Sequence, residues 1–102
     1  MRFRQGRFVD LVGRQIALFE RDRAGLIRDA DAALRAYDAA ERSEAEERYG
    51  DYLDLVGAGQ DELVEIREAY ALTLAEDAAD EYREVFNRIA RKRLPRFALE
   101  LE

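Results

Sequence analysis

Leu63, Ile66, Tyr70, Leu74, Ala78, Tyr82, Val85 and Ile89 follow one another at steps of three or four without a gap. Only a helix returns side chains to one side at that interval, because 3.6 residues complete a turn. Leu72, Ala75, Ala79 and Phe86 flank the stripe, so this face is broader than a narrow seam and needs cover on more than one side. The spacing is coiled-coil-like, and its alanines allow a neighbouring helix to come close. Leu63, Ile66, Tyr70, Leu74, Tyr82, Val85 and Ile89 are the expected interaction surface.

A second stripe opens the chain. Phe8, Val12, Ile16 and Phe19 step by four, four and three, with Val9, Leu11 and Leu18 beside them. Leu26, Ala30, Ala33, Leu34 and Tyr37 continue it, followed by Ala45, Tyr49, Tyr52, Leu53 and Val56. The middle is thin, since Glu41 and Glu44 stand where apolar groups belong. Strand-like alternation is absent before the C-terminus, and the fold class that follows is all-α.

Gly57 and Gly59 supply the punctuation. Glycine costs about 1 kcal/mol relative to alanine inside a helix and is at home just past a helix end. Asp61 or Gln60 can cap a new helix there, with Glu62 and Glu65 complementing its positive end. A stop followed by a start predicts an αα-hairpin turn over 57–60, the alternative being a kink in one continuous helix. The expected order is a basic leader 1–6, helix 1 over 7–21, helix 2 over 22–56, helix 3 over 61–93 and a tail 94–102, all one domain. A break within Glu20–Gly25, with Asp22 as cap, is favoured over an uninterrupted first half. Pro95 ends the third helix, and the alternation of Phe97, Leu99 and Leu101 suggests an extended tail.

Two long helices alone, each on the order of 50 Å at 1.5 Å per residue, enclose too little interior. A second copy is the natural cover, which gives a homodimer with a bundle of four or six helices. A different protein partner would serve the same purpose.

Charge is unevenly spread. Residues 1–35 carry a net +3, residues 36–84 a net −12 and residues 85–102 a net +3, for −6 in all. Folding at Gly57–Gly59 would place both basic segments at an open end and the acidic centre at the hinge. Arg88, Arg91, Lys92, Arg93 and Arg96 form the densest basic run, with no acid between Val85 and Leu99. It offers an anion-binding patch, with Arg2, Arg4 and Arg7 nearby, although bases also simply offset the dipole at a helix C-terminus. A pI near 4.8 argues against nucleic acid as the partner.

The chain has neither Cys nor His. That removes disulfides, thiolate and imidazole metal ligands, Ser-His triads and histidine acid–base chemistry. No apolar run approaches the ~20 residues of a membrane span, and no signal peptide is evident, so a cytoplasmic location is expected. The five tyrosines lie on or beside the stripes, as core-edge residues do.

What catalytic material remains is largely carboxylate. Glu65/Glu68 and Glu81/Glu84 form two E-x-x-E pairs separated by twelve residues, and carboxylates on helices can hold Mg²⁺ or Mn²⁺. This arrangement is similar to the acidic helix motif of the all-α nucleoside triphosphate pyrophosphatases. The resemblance implies metal-dependent hydrolysis of a phosphorylated small molecule. It departs from that family in ending on Glu84 rather than Asp, and in placing both pairs on one expected helix, about 24 Å apart. The residues therefore point first to an interaction or structural module without a cofactor, then to a carboxylate-metal hydrolase, and third to an anion binder.

Overall fold

The computed structural model describes residues 6–98 and residue 101. The chain is all-helical there, with α1 over Val9–Asp22, α2 over Ala24–Asp38, α3 over Ala45–Ala71, α4 over Glu76–Arg93 and a single turn, α5, over Pro95–Ala98. Its extents are 53 × 22 × 22 Å, a rod. None of the described helices is long and apolar enough to cross a membrane.

α1 and α2 run on as one bent rod. The break within Glu20–Gly25 is a single residue, Arg23, at φ −114°, ψ 28°, and no side chain caps α2. Asp22 therefore does not take the capping role expected of it. The hydrogen bonds continue across the bend, from Arg23 N to the Phe19 carbonyl at 2.8 Å and from Ile27 N to the Arg23 carbonyl at 3.0 Å. α3 returns antiparallel to this rod, as the Tyr37–Tyr49 ring contact near one end and the Arg23–Glu62 ion pair farther down require. α4 then runs parallel to α1, with Phe8 against Tyr82 and Phe19 against Phe97.

The hinge expected over 57–60 is absent, because Gly57 and Gly59 lie inside α3 with no positive φ. The chain reverses instead at 39–44 and again at 72–75. At the first reversal Glu44 N bonds the Glu41 carbonyl and Ala40 N bonds the Tyr37 carbonyl. Glu41 and Glu44, the thin part of the stripe, are the turn itself. At the second, Ala75 adopts extended angles, and Glu76 and Asp77 supply the acidic first turn of α4. Helix 3 thus splits in two. Its apolar stripe reads as continuous because the two halves face each other across a short connection.

Gly59 has a different reason to be glycine. A Cβ built there would meet the Phe97 ring at 2.4 Å and 2.7 Å, so the absence of a side chain lets α5 seat its aromatic on α3. Pro95 correspondingly opens a helical turn, where its missing N–H costs nothing, and does not begin an extended tail. Phe97, Ala98 and Leu101 are buried; Leu99 lies outside the described residues.

The core occupies one half of the rod. Phe8, Val12, Ile16 and Phe19 are all buried, as are Leu63 and Ala71 of α3 and Tyr82, Val85, Phe86 and Ala90 of α4. Each large apolar side chain removed from water contributes about 1.5–3 kcal/mol. Between Ala30 and Gly59 no residue is buried. The other half of the rod is a two-helix arm made of α2 and the first half of α3, and α4 stops short of it.

Candidate functional site

The arm carries the main uncovered surface. On α3, Tyr49, Leu53, Val56, Gln60, Leu63, Arg67 and Tyr70 alternate steps of four and three, a heptad seam. Below Gln60 the seam is occupied. Leu63 is fully buried, Arg67 Nη1 donates to Asn87 Oδ1 of α4 at 2.8 Å, and the Tyr70 ring lies 4.8 Å from that of Tyr82. Above it α4 no longer covers the seam, and Tyr49 has the Tyr37 ring of α2 beside it. Tyr49 is 43% exposed and Leu53 46%.

There the seam forms a groove of about 370 Å³, lined by Tyr49, Tyr52, Leu53, Val56, Gly57 and Gln60, with Arg96 at its head. Gly57 leaves a notch in its floor, since a Cβ there would have nothing within 4 Å. Three tyrosines gather at the outer end. Tyr37 and Tyr49 have ring centroids 5.0 Å apart, Tyr49 and Tyr52 6.1 Å. Burial, and secondarily the neighbouring Tyr49, raises the pKa of the Tyr52 hydroxyl. These rings are amphipathic, offering apolar area with little rotamer entropy to lose.

The residues expected to form the interaction stripe serve the chain's own core. Leu63, Tyr82 and Val85 are buried, and Ile66, Tyr70, Leu74 and Ile89 are partly buried and packed against them. Tyr82 Oη donates to Gln15 Oε1 of α1 at 2.7 Å, and desolvation pushes its pKa up to about 12. The uncovered surface lies on the same seam before Leu63, over the two heptads from Tyr49 to Gln60. Its signal was in the sequence as Tyr49, Leu53 and Val56, read there as the inner face of a longer helix.

The acidic pairs sit on two antiparallel helices rather than one, Glu65 and Glu68 on α3, Glu81 and Glu84 on α4. Glu68 is engaged by arginines, since Arg83 reaches its two oxygens at 2.9 and 3.0 Å and Arg67 donates at 2.8 Å. Hydrogen bonds from Arg83 chiefly, against a desolvation cost, lower its pKa. Glu81 lies 3.7 Å from Arg7, while Glu65 and Glu84 face solvent. Among the described residues no three acidic groups come together as a metal site would need.

The basic run is a waist, not an open end. α4 finishes midway along the rod, so Arg88 through Arg96 stand where the arm begins. Arg93 is bonded to Glu20 and to the Gly13 carbonyl, Arg96 to Asp31, and Arg91 to the Leu101 carbonyl at 2.6 Å. Arg88 and Lys92 are exposed and form no ion pair among the described residues. Most acids divide to either side, seven from Asp38 to Asp54 on the arm and seven from Glu65 to Glu84 towards the opposite end, each set with two arginines, while Asp61 and Glu62 lie between them at the waist. The layout is negative, positive, negative. Arg2 and Arg4 lie outside the described residues.

Comparison with protein-family models, with curated proteins and with solved structures returns no match.

Proposed function

We propose that this chain is a self-associating helical interaction module, a homodimer joined through its arm. One observation carries the reading: the heptad seam of α3 is covered by α4 from Leu63 to Tyr70 and left uncovered by it from Tyr49 to Gln60, where Tyr49 and Leu53 are exposed. A seam of apolar and aromatic residues in register with a core is a place for another helix. A second copy brings two helices at once and turns two arms into one four-helix bundle.

The size of the surface sets the strength. From Ala45 to Gln60 the arm is about 22 Å long, and two helices side by side are about 20 Å across. The covered face is then on the order of 400 Å² per copy. That falls below the range of tight complexes and corresponds to a weak association. Sedimentation equilibrium from about 5 to 500 μM should follow a rise from 11.8 kDa towards twice that mass. Leu53→Asp should hold the chain at the monomer mass while leaving its melting curve at low concentration unchanged. A wild-type monomer at 500 μM, or a Leu53→Asp variant that associates as well as wild type, would refute the reading.

A further inference from the structure

We infer that the two arms lie antiparallel, with the acidic tip of each against the basic waist of the other and the Tyr49–Tyr52 pair of each over the Gly57 notch of the other. This rests on the proposed dimer and specifies its geometry. Two features of the fold argue for it independently.

The first is charge. From Asp38 to Arg48 the tip holds five acids and two arginines. A parallel pair would bring the two tips together, repelling each other and leaving Arg88 and Lys92 facing nothing. An antiparallel pair brings each tip to the end of the partner's α4, where Arg88 and Lys92 stand exposed beside Arg93 and Arg96, which are already paired with Glu20 and Asp31. The attraction is satisfied twice by one two-fold axis, as an isologous interface requires.

The second is shape. α4 and α5 form a shoulder where the arm leaves the core, because α5 is seated on Gly59. A partner arm laid along the groove slides until its tip meets that shoulder, which sets the register. In that position the axis passes near Leu53, and the bulky tyrosines at the outer end of one seam oppose Val56, Gly57 and Gln60 at the inner end of the other. The groove is empty of side chains above Gly57. A large residue is offered opposite Gly57, which flanks the seam without a side chain, and this is the receiving notch of knobs-into-holes packing.

The chain contains no cysteine, so the geometry can be read directly. Glu41→Cys and Lys92→Cys are made separately, mixed, and treated with a short bis-maleimide. Within one copy the two positions are about 25 Å apart along the rod, beyond such a linker. The expected result is a 41–92 cross-linked dimer in the mixture and little in either variant alone. Cross-linking of Glu41→Cys to itself, with no 41–92 product in the mixture, would mean parallel arms and overturn the inference while leaving the dimer intact. A monomeric wild type would overturn both.

Gly57→Leu should weaken association at least tenfold, and replacing Tyr49 with Ala in that background should recover part of the loss. Full association of Gly57→Leu would remove the notch from the mechanism.

Discussion

Gly57 and Gly59 stand two residues apart in one helix, yet alanine at the two positions should act with opposite sign. At Gly57 a methyl meets nothing within 4 Å. The substitution then removes only the backbone penalty of a helical glycine and should stabilise by about 0.5–1 kcal/mol. At Gly59 the same gain is set against Phe97, whose Cδ1 and Cε1 would lie 2.4 and 2.7 Å from the new carbon. Carbon contacts settle near 3.5–4.0 Å, so the ring must withdraw by roughly 1 Å. It has little room, being 2% exposed and packed edge-on against Phe19 at 6.3 Å. Overpacking of this kind costs about 1–3 kcal/mol, leaving Gly59→Ala destabilising by about 1 kcal/mol net. For a domain of this size each kcal/mol moves Tm by about 4–8 °C. Thermal unfolding followed by circular dichroism should therefore separate the variants, provided the protein is kept at low micromolar concentration where association does not contribute. Phe97→Ala gives the control, because in that background the clash is gone and Gly59→Ala should become stabilising. Equal increases at both glycines in the wild-type background would refute the seating of Phe97 on α3.

Leu63→Ala should cost about 2–5 kcal/mol, since the side chain is fully buried, whereas Leu53→Ala on the same seam should change monomer unfolding by less than about 1 kcal/mol and act on association instead. At high pH, Tyr82 keeps its proton in the native state up to about 12 while the unfolded chain loses it near 10. Stability should fall between those values, and Tyr82→Phe should flatten the slope in a urea titration at stepped pH. At low pH the direction reverses: Glu68, lowered mainly by Arg83, contributes stability above the unfolded value of 4.5 that is lost as the pH falls through its native pKa. Glu68→Gln should flatten that acid limb; an unchanged limb would mean the Arg83 contact is not kept in solution.

Much of the core could be read from spacing alone. Phe8, Val12, Ile16 and Phe19 recur at helical intervals and are buried, because α1 turns one apolar side to α4 and α5. Turns were harder. Gly57 and Gly59 resemble a helix stop, but glycine serves equally where two elements must touch, and only the position of Phe97 distinguishes the two. The true reversal at 39–44 is marked by charge, Glu41-Arg42-Ser43-Glu44, rather than by glycine or proline. The reversal at 72–75 is hidden by Leu72 and Leu74, and Leu72 is 78% exposed. An antiparallel pair whose seams meet at a short loop has the same periodicity as one long helix, so period alone could not place it. The arm surface was hidden for a related reason, since a bare seam and a packed one are written in the same residues.

That α4 covers only half of the rod also divides the molecule in time. Amide hydrogens of α1, the second half of α3 and α4 should exchange only through global unfolding, because opening them exposes the buried core. Those of α2 beyond Ala30 and of α3 before Gly59 belong to a segment with no buried residue, and they can open while the rest stays folded. The arm is thus a part whose order depends on whether something lies along it. Its amide protection should start low and rise with protein concentration, while the core, which opens only globally, starts high and gains by the linkage of association to unfolding.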